Sequence, residues 1–149
     1  MNKIKIYPPL ITLLLILAMM AFHYALPQPR LTSPPFNAFG IVLIAAGVWM
    51  NLWSARWFRK NKTTIDPRGN AIYLVQEGLY RVSRNPMYLG MLITLLGVSF
   101  YLGSLLSFLA PPIFVWIVTV RFISREEKAL RDCFGEEYVQ YQVRVRRWV

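Results

Sequence analysis

Apolar positions along this chain do not alternate with polar ones; they run together in long uncharged blocks. The first block extends from Ile6 to Pro29, with His23 as its main polar interruption, and the second from Leu31 to Ala55. A third block, Asn85 to Val120, carries no charge at all. A membrane-spanning helix needs about 20 residues at 1.5 Å rise each. The third block is far too long for one crossing, and Gly103-Ser104 near its middle offers a tight turn. The pattern therefore predicts four helices, at about 6–26, 36–57, 86–102 and 105–122, the last two forming an antiparallel hairpin. Pro111-Pro112 is expected to kink or interrupt the returning limb. A helical tail over 123–149 completes the expectation of an all-α, polytopic membrane protein folded as a single domain over residues 1–149.

Composition agrees with this pattern. The chain has 149 residues, 56% of them hydrophobic and only 16% charged, so a soluble two-domain enzyme, a disordered chain and a coiled coil are all poor fits. The first segment is read as a retained helix rather than a cleaved leader. Lys3 and Lys5 resemble the start of a signal peptide, but no small-residue cleavage site follows the apolar run.

Charge adds orientation. The net charge of +10 comes from 17 Lys and Arg against 7 Asp and Glu. With four crossings, every basic residue except Arg30 falls on the side that carries both termini. The positive-inside rule makes that side cytoplasmic, in a plasma or inner membrane. The basic excess then reads as a topology signal facing the lipid bilayer and its anionic headgroups, not as a nucleic-acid surface.

Polar chemistry gathers on this same face. All seven acids lie there: Asp66, Glu77, Glu126, Glu127, Asp132, Glu136 and Glu137. No acid falls inside a predicted membrane-spanning helix, which disfavours a proton-coupled transporter. In the long loop Arg56–Arg84, Asp66-Pro67-Arg68-Gly69-Asn70 signals a turn before the apolar patch Ala71–Val75. Asn85-Pro86 suits the capped start of helix three, and Arg81 and Arg84 nearby could equally furnish an anion site. Ile123, Leu130 and Phe134 share a helical face flanked by Glu126 and Glu127. Those carboxylates can hold a polar ligand, or Glu127 can simply pair with Arg131 four residues on. Tyr138 and Tyr141 can share a face or, like Trp148, anchor the tail at the interface. One histidine and one cysteine, His23 and Cys133, make no multi-ligand metal centre, so no metal is expected. Dinucleotide and P-loop glycine motifs do not occur.

Two separated motifs carry a resemblance. Leu74-Val75-x-x-Gly78-x-Tyr80 followed by Arg84-Asn85-Pro86-Met87-Tyr88-x-Gly90 forms the first. Glu126-Glu127-x-x-Leu130-x-x-x-Phe134-Gly135-x-x-Tyr138-x-x-Tyr141, with Arg144-Val145-Arg146-Arg147-Trp148 behind it, forms the second. Together they resemble the isoprenylcysteine carboxyl methyltransferase family, whose wider relatives include phospholipid N-methyltransferases and membrane thiol methyltransferases. The resemblance covers about residues 40–149; the first helix matches by hydropathy alone.

It implies a membrane enzyme that transfers a methyl group from S-adenosyl-L-methionine to an apolar or lipid-like acceptor. Isoprenylcysteine carboxyl O-methylation is the nearest reaction, with phospholipid N-methylation and thiol S-methylation as alternatives. A non-catalytic membrane interaction protein is the reading from a different class, and a membrane reductase is disfavoured by the small number of helices. Carried over position by position, Leu74, Val75, Gly78, Tyr80, Asn85, Pro86, Tyr88, Glu126 and Glu127 would bind the cofactor. Arg84, Arg121 and Arg125 would orient an anionic acceptor; the family's arginine near the end of helix four maps onto either Arg121 or Arg125. Asn85 stands where prenylcysteine-specific members have histidine, so acid–base chemistry at that point is lost while donor and acceptor roles remain. Val145 replaces a proline common in the tail.

Overall fold

The structure is a computed structural model that describes residues 7–60 and 74–149. The Asp66–Asn70 turn, the residues Ala71–Tyr73 and the basic residues Lys3, Lys5, Lys62 and Arg68 lie outside these residues. All regular structure among the described residues is helical: α1 Pro8–Ala25, α2 Phe39–Lys60, α3 Pro86–Leu102, α4 Ala110–Val118, α5 Ser124–Phe134 and α6 Glu136–Arg144. Short 3-10 turns at Phe36–Ala38, Gly78–Arg81 and Leu105–Leu109 precede α2, α3 and α4 respectively, and a π-turn, Thr119–Ile123, joins α4 to α5. Among the described residues, three helical stretches are long and apolar enough to cross a membrane: Pro8–Ala25, Phe36–Trp57 and Leu105–Phe134. Pro86–Leu102 is apolar but shorter.

The sequence pattern places these elements to within a few residues, with two differences. Pro111 and Pro112 fall in the first turn of α4. The missing proline N–H groups cost nothing there, because first-turn donors have no intrahelical partner. The break in regularity therefore lies just ahead of them, where the 3-10 turn becomes α-helix. The returning limb also does not stop near Phe122: the π-turn leads straight into α5. One extra residue in that turn rotates everything after it, and π-turns of this kind are frequent at functional sites.

Two compact units are present. The first holds the described residues up to Val48 together with Met91–Trp116. Its α1 begins with Pro8 and Pro9 in the first turn and turns Leu13, Leu14, Leu17 and Phe22 outward, an all-round apolar helix suited to lipid. The turn after α3 is built on Gly103, whose φ is +69° and whose missing Cβ leaves room for the Thr32 carbonyl. Gly103 O accepts Leu31 N–H at 2.6 Å, and Pro29 O accepts Leu105 N–H at 3.2 Å. Gln28 Oε1 accepts Leu106 N–H at 3.0 Å, and Thr32 donates its hydroxyl to Phe100 O at 2.7 Å. The segment after α1 is thereby latched to the α3–α4 turn. Ser99 and Ser107 tie the hairpin from within: Ser99 Oγ reaches Ser107 O at 2.9 Å and Leu95 O at 3.0 Å, and Ser107 Oγ donates to Ser104 O at 2.6 Å.

Helices α2 and α3 touch backbone to backbone at Gly40 and Gly97. A Cβ built on Gly97 would lie 2.7 Å from both Gly40 O and Ile44 N. Small residues at such crossings let membrane helices approach closely. Gly97→Ala is expected to force the two helices apart and to lower stability by about 1–3 kcal/mol, the usual effect of overpacking. Thermal unfolding in detergent checks this, and an unchanged midpoint would show that the crossing tolerates a methyl group.

The second unit holds the described part of Trp49–Gly90 together with Ile117–Val149. Its core is a cluster of Leu74, Tyr138, Tyr141 and Val145, with Leu130 and Phe134 packed against it. Gly135, at φ +53°, ends α5 and lets α6 fold back, so that its tyrosines reach the core. Tyr138 and Tyr141 are 1% and 3% exposed, which makes them core residues and not interfacial anchors. Gly78, at φ +61°, lies where any Cβ would strike the ring of Trp53, itself stacked on Trp57 at 5.1 Å.

Candidate active site

Within the second unit, three pieces of chain converge: the segment Leu74–Tyr88, the first turns of α5, and residues 145–148 beyond α6. The segment before α3 brings Leu74, Val75 and Tyr80 into buried positions, and Pro86 starts the helix that carries Tyr88 inward. Glu126 and Glu127, adjacent on α5 and so about 100° apart around the helix, point to different partners.

Glu126 accepts a 2.6 Å hydrogen bond from the Tyr88 hydroxyl. This is the range of a strong, charge-assisted O–H···O⁻ bond. Tyr80, which is 7% exposed, lies close by, and Tyr141 donates its hydroxyl to Tyr80 O at 2.7 Å. Burial pushes the Tyr80 phenol up, with the Tyr141 hydroxyl and the Glu126 carboxylate adding to the effect. Burial likewise raises Tyr141. Both phenols therefore stay protonated at physiological pH and act as hydrogen-bonding groups, not as bases.

Glu127 sits in a clamp of two arginines. Arg147 makes a two-pronged contact, Nε to Oε1 at 3.0 Å and Nη2 to Oε2 at 2.6 Å. Arg84 Nη1 approaches Oε1 at 3.3 Å, with the Arg84 and Glu127 side chains each 11% exposed. The hydrogen bond to Glu127 raises the Arg147 guanidinium further above its ordinary value, so the clamp stays charged. The expected pairing of Glu127 with Arg131 does not form. Glu127 faces inward, and Arg131 donates instead to Gln142 Oε1 at 2.8 Å on the surface. Asn85 donates its side-chain amide to Arg147 O at 3.0 Å, and Ser83 Oγ donates to the same carbonyl at 3.3 Å. Arg84 N–H reaches Arg146 O at 3.1 Å.

An open groove of about 500 Å³ adjoins the tyrosine core, lined in part by Leu74, Gln76, Arg81, Glu137, Tyr141 and Arg144. Gln76 bridges its walls, donating to Glu137 Oε1 at 2.9 Å and accepting from Arg144 Nη2 at 2.9 Å. Of the residues expected at the cofactor, Leu74 lines this groove, Tyr88 and Glu126 form their own pair, and Asn85 and Glu127 are held by Arg147; Arg84, expected at the acceptor, is drawn to Glu127 instead. Val75 and Pro86 are buried beside them, and Gly78 serves the turn under Trp53. Arg121 on the π-turn and Arg125 on α5 are exposed, in contrast to the half-buried Arg84.

Arg147 and Ser83 escaped the sequence reading. The basic run Arg144–Arg147 is visible there, but nothing in it says which arginine turns inward. Among the described residues, no group of three or more His, Cys, Asp or Glu is placed to hold a metal ion.

The phospholipid methyltransferase family model matches residues 36–137, which include α2 through the start of α6. Protein-S-isoprenylcysteine O-methyltransferase B of Arabidopsis thaliana is 39% identical over 72 residues, covering 48% of this chain and 36% of that protein. The protein-S-isoprenylcysteine O-methyltransferase of Schizosaccharomyces pombe is 36% identical over 72 residues, covering 48% of this chain and 30% of that protein. An uncharacterised protein of Haemophilus influenzae is 41% identical over 63 residues, 42% of this chain and 100% of its own length. The chain thus spans about a third of the length of the two named methyltransferases. No solved structure matches it significantly. By the extent of the family match, which covers more than half of its residues, the chain belongs to the phospholipid methyltransferase family.

Proposed function

We propose that the chain is a single-domain integral membrane methyltransferase that takes its methyl group from S-adenosyl-L-methionine and passes it to an apolar or lipid-like acceptor. The observation that carries this reading is the Tyr88–Glu126 pair, formed between the two motifs that resemble the family. The residues present fit the cofactor's polar groups. A carboxylate carries several acceptor positions, so Glu126 can receive hydroxyl or ammonium donors from a ligand as well as the Tyr88 hydroxyl. The buried, protonated phenol of Tyr80 supplies an amphipathic surface near it.

When bound, the cofactor supplies an electrophilic methyl group on a sulfonium centre. The chain's own part is then placement and exclusion of water. Bringing a nucleophile into line with the methyl provides the main rate gain. Attack by an anion on a sulfonium disperses charge, so a site of low polarity favours the reaction. Among the described residues of the pocket the tyrosines stay protonated and Asn85 cannot titrate, which suits an acceptor that arrives already ionised: a carboxylate or a thiolate. O-methylation, the reaction named for the plant and yeast relatives, is therefore preferred, in its carboxyl form, with Arg121 or Arg125 as the cations that orient the acceptor and Arg84 held in its pair with Glu127. Incubating purified protein with S-adenosyl-L-methionine and a membrane extract, then reading by mass spectrometry which component gains one methyl group, tests this directly. Label confined to amine headgroups would replace carboxyl transfer with N-methylation, and no labelled product would remove the enzymatic reading.

We further propose four crossings, with Pro86–Leu102 as the shortest span and both termini on the cytoplasmic side. The support is the placement of all basic residues but Arg30 on one face. Reporter fusions at Val149 and within Pro27–Pro35 are expected to report opposite sides, with Val149 cytoplasmic. Both reporters on one side would refute the arrangement.

A further inference from the structure

The chain leaves α6 at Val145, which is extended at φ −124° and ψ 129°, and residues 146–147 then meet the start of α3. This strap touches the two elements that carry the Tyr88–Glu126 pair, and it touches each beside the functional residue. On the α3 side, Arg147 O takes hydrogen bonds from Asn85 Nδ2 at 3.0 Å and Ser83 Oγ at 3.3 Å, and Arg146 O takes Arg84 N–H at 3.1 Å. Asn85 lies one turn before Tyr88. On the α5 side, the Arg147 guanidinium grips both oxygens of Glu127, the residue next to Glu126. One residue of the strap therefore fixes both partners' neighbours at once.

We infer that Arg147 is a positioning residue: through Glu127 and the Ser83–Asn85 turn, it sets the geometry in which Tyr88 and Glu126 meet. This rests on the reading of that pair as part of the cofactor site, and it gives Asn85, Glu127 and Arg84 a fastening role in place of direct ligand contact. The guanidinium is suited to this because its rigid fork matches a carboxylate in two bonds, which a lysine ammonium cannot reproduce.

The test is a double-mutant cycle for S-adenosyl-L-methionine binding to the full chain in detergent, using Arg147→Ala, Glu126→Gln and their combination, with Arg147→Lys and Arg131→Ala alongside. Arg147→Ala is expected to weaken binding about tenfold or more, and Arg147→Lys to recover part of it. Adding Glu126→Gln to Arg147→Ala should then cost little further affinity, because both changes remove the same contact. Arg131→Ala, on the exposed Gln142 pair, should stay within about twofold. A general structural role would give additive losses and no rescue by lysine. Wild-type affinity in Arg147→Ala, or full additivity in the cycle, overturns the inference. Hydrogen exchange separates its fate from that of the functional reading. If the wild type binds no cofactor, that reading falls, but Arg147→Ala must still speed exchange at Leu89 and at Ser124–Lys128. Unchanged exchange there would overturn the positioning role by itself.

Discussion

Glu127→Gln is expected to destabilise the protein by about 3–5 kcal/mol, the effect of breaking a buried ion pair. The reason is the fate of Arg84. Its side chain and that of Glu127 are each 11% exposed, while Arg147 at 39% keeps access to solvent. Glutamine has nearly the shape of glutamate but no charge, so Arg84 would remain buried opposite a neutral amide. Removing one partner of a buried pair is costly for this reason, whereas an exposed pair contributes about 0–1 kcal/mol. The companion change Arg131→Ala, which loses an exposed bond to Gln142, should therefore move the unfolding midpoint little. At roughly 2–4 °C per kcal/mol for a chain of this size, Glu127→Gln should melt about 6–20 °C lower. Equal midpoints for the two variants would mean that the clamp is solvated and contributes nothing net.

Glu126→Gln should behave in the opposite way, leaving the fold intact and weakening S-adenosyl-L-methionine binding by roughly 10- to 150-fold. A hydrogen bond to a charged group contributes about 1.5–3 kcal/mol, and about 1.4 kcal/mol is a factor of ten. Glu126 is half-buried and accepts from the neutral Tyr88 hydroxyl, a bond that the glutamine carbonyl can still receive. Glu136→Gln, at an exposed position beyond Gly135, supplies the control and should bind almost as the wild type does. Unchanged affinity in Glu126→Gln with intact methyl transfer would move the cofactor's polar contacts elsewhere, the Gln76–Arg144 groove being the alternative.

The contrast between these neighbouring glutamates shows what was legible in the sequence. Helix positions were readable because a spanning helix needs an uninterrupted apolar run of set length, and such runs are local properties. The hairpin turn at Gly103-Ser104 was readable from the length of the uncharged run. The partners of individual charges were not readable. Glu127 and Arg131 have helical spacing, which favours a pair on an isolated helix, but spacing carries no information about burial. Arg84 and Arg147 are far from Glu127 in sequence and win because Glu127 faces inward. The π-turn was equally invisible, since no residue type in Thr119–Ile123 demands the extra backbone residue. The spacing of Tyr138 and Tyr141 allows a shared face, but an amphipathic tyrosine suits a core and a membrane interface alike; only the fold-back at Gly135 separates the two.

The central claim is that this chain binds S-adenosyl-L-methionine at the junction of α3 and α5. Calorimetric titration of the purified, folded wild type with S-adenosyl-L-methionine, repeated in the presence of the demethylated product S-adenosylhomocysteine, tests it most directly. Saturable binding to a single class of site, displaced by the product, is the expected result. A folded protein that gives no saturable heat with either compound would contradict the account.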